Sequence, residues 1–385
     1  MRFADNRNKI GKYIPAVVFL IFIYGMALWF IFSPKPDYSS SEKRYLQKFP
    51  EVTAEKLLSG DFGSEFETFF ADRFPQRNTW VGLNAYTALA EGNNGASGVY
   101  NCKNGYLINK PVSIENNLDK NIGAVADFAK SIDTPTTVML VPSTGYIVDD
   151  VLPTFHDKYN DDEDISKISS TLSKDKIGFV DLRERFKSEY KNGSQLYYKT
   201  DHHWTTKGAY TGYQELCKAL GITPIDDSTL KKDSYPDFYG TTYSSSGFWL
   251  TPPDNIEIWN NPKNSDRNIS VKITEGANIK TSGSMYFTDH LKEDDKYPVF
   301  IDGNHALTEI TNTNAKNGTI LLIKDSFSHS LAPFLAENYS KVLLVDLRYY
   351  KESVSDLVTA YNPEQVVVLY GIDNLATDTD IVWLK

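Results

Sequence analysis

The rhythm of apolar and polar positions changes several times along this 385-residue chain. Residues 13–33 run for 21 positions without a charge, and as a helix they would reach about 31 Å, the thickness of a bilayer core. From Ala54 to Phe70 the apolar positions Phe62, Phe66, Phe69 and Phe70 recur at helical spacing, with Gly60 and Gly63 as breaks. Gly98–Ile108 predicts a hairpin turning at Lys103-Asn104-Gly105. Helical patterns at 114–132, 164–176, 206–220, from about 327, and at 354–360 then alternate with short apolar runs. Those runs, at 136–141, 177–181, 319–323, 341–345 and 365–370, read as strands. Residues 222–312 break the alternation and read as an irregular insertion with short strands, one of them at 297–302. Five strands separated by helices predict an α/β fold, a parallel sheet flanked by helices on both faces.

Charge turns the first apolar run into a topology. Arg2, Arg7, Lys9 and Lys12 precede it against Asp5 alone, so residues 1–12 form a cytoplasmic tail and everything after the span lies outside. The run ends in Trp29-Phe-Ile-Phe-Ser33-Pro34 without a small-x-small cleavage site, which favours an uncleaved signal-anchor over a signal peptide. The predicted organisation is a transmembrane helix at 13–33, a stalk at 34–50, and an extracytoplasmic domain at 51–385 containing the 222–312 insertion. The net charge is −10, and the tail holds +3 of it, leaving about −13 outside. That balance disfavours nucleic acid and anionic lipid surfaces as main partners. Cys102 and Cys217 are the only cysteines; they form one disulfide or two separately buried thiols, and they exclude a thiolate-rich metal site.

The chemistry concentrates in two segments. In Tyr198-Lys-Thr-Asp201-His202-His203-Trp204 an acid stands two residues before a histidine, just ahead of a helix. An imidazole serves as general base near neutral pH, and a carboxylate sets its tautomer and stabilises its charged form. About 120 residues later, the apolar run ending in Lys324-Asp325-Ser326-Phe-Ser328 places a serine at a strand-to-helix corner, where hydrolases expose a reactive hydroxyl. Ser326 leads Ser328 because the corner falls at 325–326, and His203 leads His202 by its spacing from Asp201. His156, His290, His305 and His329 show no supporting carboxylate pattern. In Asp72-Arg73-Phe-Pro-Gln-Arg77 the charges read as a helix end with an internal ion pair.

A strand followed by Asp-Ser-x-Ser, with an Asp-x-His entering a helix elsewhere, resembles the SGNH hydrolase superfamily. The histidine here precedes the serine, so the chain resembles a circularly permuted version. Residues 138–142 and 179–181 would be its fourth and fifth strands, 320–326 the first, 343–348 the second and 366–371 the third. That arrangement is similar to the alginate O-acetyltransferases and to the bacterial family named for its Asp-His-His-Trp motif. Asp72–Arg77, Lys103–Leu107 and Phe238-Tyr-Gly-Thr-Thr-Tyr-Ser244 also look like that family. The resemblance implies Ser326 as nucleophile, His203 as base and Asp201 as its orienting acid. It implies a second oxyanion or substrate contact from Arg348 or Tyr349 and from Gly371 or Asn374, beside the Ser326 N–H. Lys324 departs from it, since the superfamily usually places Gly before Asp-Ser.

The function so implied is a membrane-anchored, extracytoplasmic O-acyltransferase, an acetyltransferase by resemblance, working on a cell-surface or exported polysaccharide through a serine acyl-enzyme. It implies no cofactor and no metal. A membrane-bound O-acyltransferase would be the partner that supplies the acyl group. With water as acceptor the same residues make a carbohydrate acetylesterase. Three other readings compete: Ser143 as nucleophile, Asp-His-His as metal ligands, and a non-catalytic glycan-binding or scaffold protein using the insertion's Tyr235, Phe238, Tyr239, Tyr243, Phe248 and Trp249.

Overall fold

The computed structural model describes residues 2–39, 41–112, 117–265 and 267–384, with 2–12 as backbone only. It divides into two compact units, Met1–Thr87 and Ala88–Lys385.

In the first unit, helix Arg2–Phe32 contains the apolar stretch Tyr13–Phe32, which by length and composition is able to cross a membrane. Next, within the stretch predicted as a stalk, Tyr38–Ser39 pairs antiparallel with Arg44–Tyr45. The helical pattern of 54–70 resolves into two helices, Ala54–Ser59 and Asp61–Asp72. Gly60 separates them at φ 88°, a left-handed conformation that ends a helix at little steric cost to glycine. Gly63, read as a second break, lies inside the second helix. The Asp72-Arg73 charges are not a purely local pair. Asp72 accepts hydrogen bonds from Arg44 (3.0 Å) and the Gln47 N–H (2.9 Å), while Arg73 donates to the carbonyls of Gln47 (2.9 Å) and Pro36 (2.7 Å). Together they clasp the segment before the helices.

The second unit is built on an eight-stranded sheet. We number its strands in chain order: β1 Thr136–Val141, β2 Gly178–Asp181, β3 Ile269–Glu275, β4 Asn278–Ser282, β5 Leu307–Asn312, β6 Asn317–Lys324, β7 Tyr339–Val345 and β8 Gln365–Gly371. Their spatial order is β4-β3-β5-β7-β6-β8-β1-β2. Strands β7-β6-β8-β1-β2 are parallel, as the alternation of strands and helices predicts. The expectation of a parallel sheet is nevertheless corrected. Strands β5, β3 and β4 extend the β7 edge in antiparallel fashion, so the sheet is mixed. They come from the segment read as irregular, whose strands mix apolar and polar residues and lack the apolar runs of buried parallel ones. Within that segment Tyr297–Val299 is a 3₁₀ turn rather than a strand.

The sheet is covered on both faces. In β6, Ile320 and Leu322 pack with Trp204, Tyr213 and Leu331, while Leu321 and Ile323 pack with the opposite core around Val125, Leu357 and Leu375. This is why the strand reads as one continuous apolar run. Val99–Asn101 and Leu107–Asn109 form the predicted hairpin. Cys102 and Cys217 are both free and buried, and burial pushes each thiol up to about 12.

Candidate active site

Strand β6 lies between β7 and β8 in the parallel part of the sheet, and its carboxyl end delivers Lys324, Asp325 and Ser326 to the edge where open α/β sheets place ligands. Helix Ser328–Leu335 starts two residues later. Between Ile320 and Ala336 every residue is buried except Ser326, which is half-buried. The corner therefore offers one hydroxyl to solvent. Ser328, the runner-up, is fully buried and its Oγ has no hydrogen-bond partner.

The histidine arrives on a tight loop whose ends pair as Tyr197 and Trp204, just before helix Thr206–Leu220. The Thr205 hydroxyl caps that helix by accepting from the Gly208 N–H at 3.1 Å. Asp254 holds the loop from below, accepting from the Lys199 N–H (2.9 Å), the Thr200 N–H (2.8 Å) and the Thr200 hydroxyl (2.7 Å). In that loop Asp201 Oδ1 accepts from the His203 N–H at 2.9 Å and lies 2.5 Å from its Nδ1. His203 Nε2 lies 2.7 Å from Ser326 Oγ, across 123 residues of sequence. Asp201, His203 and Ser326 are thus joined in one hydrogen-bonded line. His202 lies outside that line, and its Nδ1 is 2.6 Å from Thr241 Oγ1 at the start of helix Thr241–Ser246.

Trp204 explains why a tryptophan closes the motif. Its ring is fully buried, and its Nε1–H donates to the Phe327 carbonyl (3.0 Å) and Ser330 Oγ (2.9 Å). One side chain thereby ties the histidine loop to the serine corner.

Several neighbours were not legible in the sequence. The Thr241 N–H (2.6 Å) and hydroxyl (3.0 Å) donate to Asp201 Oδ2, so that carboxylate is held by donors on both oxygens. The only signal for Thr241 was the family-like segment Phe238–Ser244. Tyr297 stacks on His203, with ring centroids 4.0 Å apart and planes at 11°, and its hydroxyl donates to the Ser326 carbonyl at 3.2 Å. No motif pointed to Tyr297 or Asp254.

The second-contact candidates are placed unevenly. Arg348 donates to Asp346 (2.6 and 2.8 Å) and to Asn304 (2.9 Å), and Tyr349 is exposed beside it. The Gly371 N–H (2.8 Å) and one Asn374 amide N–H (2.7 Å) donate to Asp325, which is buried and whose carboxyl burial pushes upward. Gly371 is therefore corrected as a free donor, because its N–H goes to Asp325, while Arg348 is held through Nε and Nη2 on Asp346 and Asn304. Asn374 has a second amide hydrogen and lines a pocket of about 50 Å³ with His202, Phe327 and Asp373.

Lys324, the departure at the corner, is buried, and its Nζ contacts His329 Nε2 and Asp346 Oδ2, both at 2.8 Å. Burial lowers the ammonium's pKa, and burial with the nearby Lys324 charge holds the His329 imidazole well below its usual range. The long side chain leaves the corner intact by running beneath it. His290 and His305, which show no carboxylate pattern in the sequence, meet carboxylates in the fold. His290 bonds Glu293 and Asp302 (2.9 Å each), and His305 bonds Glu275 (2.7 Å). Ser143 is buried and its hydroxyl donates to Asp373 at 3.1 Å rather than to a histidine.

Asp201, His202 and His203 bring donor atoms within 4.8 Å of one another, close enough for a cation by distance. Both ring nitrogens of His203 are taken, however, by Asp201 and Ser326, which is the pattern of a proton relay.

A family model described as DHHW protein matches residues 99–345. The chain belongs to the DHHW family. It is similar to a DHHW family protein of known structure from Eubacterium siraeum DSM 15702, at 17% identity over 75% of this chain and 95% of that one, with a TM-score of 0.63. It is also similar to Bacillus cereus PatB1, at 21% identity over 73% and 98% and a TM-score of 0.60. A second PatB1 structure, carrying a sulfonyl adduct, matches at 20% identity over 74% and 97% with a TM-score of 0.61. No curated protein matches this chain.

Proposed function

We propose that this DHHW-family protein is an O-acyltransferase that works through a serine acyl-enzyme. The observation that carries the reading is the line from Asp201 through His203 to Ser326, ending on the one half-buried residue between Ile320 and Ala336. Ser326 Oγ attacks the carbonyl carbon of a donor ester while His203 Nε2 takes the hydroxyl proton. Asp201 holds the Nδ1–H and stabilises the imidazolium. The tetrahedral oxyanion is received by the Ser326 N–H and the second amide hydrogen of Asn374, and loss of one such donor typically costs about 100–1,000-fold. Collapse expels the donor's alkoxide, which His203 protonates, leaving an acyl ester on Ser326. An acceptor hydroxyl then gives its proton to His203, attacks the ester and leaves acylated, and Ser326 regains its proton.

Counted from the strand that carries Ser326, the parallel strands run second-first-third-fourth-fifth, which supports reading the domain as a circularly permuted SGNH hydrolase fold. The acceptor is a polysaccharide and the acyl group acetyl, by the resemblance to alginate O-acetyltransferases. The donor is a membrane-bound O-acyltransferase partner. The apolar helix Tyr13–Phe32 anchors the chain, with the basic tail inside and the domain outside.

The test uses the full chain in detergent with p-nitrophenyl acetate, reading nitrophenol release and the mass of the intact protein. An added acetyl group, absent from Ser326→Ala and His203→Ala, is expected. A sulfonyl fluoride should label the wild type and spare Ser326→Ala. If wild type and both variants release nitrophenol alike and none gains mass, the acyl-enzyme reading is wrong.

A further inference from the structure

Helices Ala54–Ser59 and Asp61–Asp72 are amphipathic but bury almost nothing. The first has no buried residue, and the only buried residue of the second is Asp72. Leu58 is 89% exposed and Val52 65%, and Leu57, Phe66, Phe70 and the preceding Phe49 are exposed as well. Their rings form a continuous sheet of aromatic contacts. Phe49 meets Phe62, Phe66 and Phe69 edge-on at 5.4–6.5 Å, and Phe62 stacks on Phe66 at 6.1 Å. A contiguous apolar patch of this kind is unusual on a surface facing water and marks an interaction site.

The patch is continuous with the apolar helix. Phe30, two residues before the end of helix Arg2–Phe32, contacts Phe70 at 4.7 Å and Phe69 at 6.2 Å. At a rise of about 1.5 Å per residue, Phe30 lies about 3 Å inside the end of that helix. Once the span is inserted, the Phe69–Phe70 edge of the second helix is therefore held at the level where headgroups give way to acyl chains. That helix, about 18 Å long, is edged with polar groups. Glu65 pairs with Lys56 at 2.8 Å, and Ser64, Glu67 and Thr68 share the surface. A polar edge over an apolar face at that depth is how interfacial helices sit.

We infer that the aromatic face of these two helices lies in the outer leaflet beside the span, so that the first unit holds the membrane by a span and by a second, surface-lying contact. The inference rests on the anchored reading of Tyr13–Phe32. Its occupant is lipid, because the face joins a helix whose own partner is lipid and because it is aromatic and aliphatic throughout.

The experiment is spin labelling of the full chain in phosphatidylcholine nanodiscs, since Cys102 and Cys217 are buried. Labels go on Leu58→Cys and Phe66→Cys, with Val18→Cys as the in-span reference and Lys263→Cys as the aqueous one. Collisions with oxygen report lipid, and collisions with a water-soluble nickel chelate report water. The inference expects Leu58→Cys and Phe66→Cys to match Val18→Cys, with nickel collisions several-fold below those at Lys263→Cys. Nickel access equal to that at Lys263→Cys, while Val18→Cys reads lipid, overturns it and leaves the anchor standing. Shielding from both reagents also overturns it, in favour of a protein covering the face. Nickel access at Val18→Cys removes the anchored reading, and this inference falls with it.

Discussion

His203 is set by contacts on its nitrogens and on its ring face, and the residue scale is where those can be separated. Asp201 and Ser326 occupy its nitrogens, while Tyr297 lies flat against the ring and reaches the Ser326 carbonyl with its hydroxyl. Tyr297→Phe keeps the stacked ring and loses only the hydroxyl's contacts with the Ser326 carbonyl and Ser330 Oγ, so turnover of p-nitrophenyl acetate should stay within about threefold of wild type. Tyr297→Leu frees the imidazole to leave its line with Ser326, and a drop of roughly 10–100-fold in kcat with little change in KM is expected, since small misplacements of a catalytic group are costly. Asp161 gives a pH-dependent prediction of a different kind. Burial raises its carboxyl to about 7, helped by the nearby Asp373 and opposed by the Ser143 N–H that it accepts at 2.7 Å. Asp373 is itself raised by burial to about 6. The folded protein thus keeps protons that the unfolded chain releases near pH 4. The contribution of these two groups to stability is full below about pH 4 and is lost as pH rises through 6 to 7. Asp161→Asn mimics the protonated group and preserves the acceptor for Ser143. Its Tm should equal that of wild type near pH 4 and exceed it by roughly 3 °C or more at pH 8, read by thermal melts across that range.

Elements explain how residues so far apart in sequence meet. The histidine loop is clamped to the serine corner by Trp204, supported by Asp254, and closed by the short helix Thr241–Ser246. Gly240 stands just before that helix, and a Cβ there would overlap the Cβ and carboxylate of Asp201. Its backbone, at φ −88°, suits any residue, so the requirement is space alone. Gly240→Ala should push Asp201 off Nδ1 of His203. The expected outcome is a tenfold or greater loss of acyl chemistry, with far-ultraviolet circular dichroism unchanged. Activity equal to wild type would show that the helix and loop can separate without disturbing the acid. The insertion is therefore part of the site. It supplies Thr241 and Tyr297 to the relay and three antiparallel strands to the sheet edge.

At the scale of the whole molecule, two compact units carry separable properties. The second holds the relay, and the first holds an apolar helix and an uncovered aromatic face. A chain held only by charge would leave membranes in alkaline carbonate, because surface electrostatics are screened and titrated away. A span of 20 apolar residues resists that wash. The full chain expressed in cells should stay in the membrane pellet after carbonate and enter solution only with detergent. Recovery in the carbonate supernatant would remove the anchored reading without touching the chemistry at Ser326.

The sequence by itself determined what is local and periodic. Apolar runs specified the five parallel strands to within a few residues, and the alternation with amphipathic stretches specified the helices between them. The Asp201-x-His203 spacing and the strand end at Ser326 were legible because a short loop and a strand-to-helix corner are each encoded by contiguous residues. Tertiary structure decided which donors remain available and which distant segments close the site. Gly371 read as an oxyanion donor until packing brought Asp325 to its N–H. Lys324 read only as a departure from the family's Gly until burial gave it His329 and Asp346. The antiparallel strands β3–β5, and with them Asp254, Thr241 and Tyr297, come from a segment of mixed polarity. A pattern of exposure records whether a residue is buried, but the identity of its partner depends on chain closure over tens to hundreds of residues, which only the packed fold resolves.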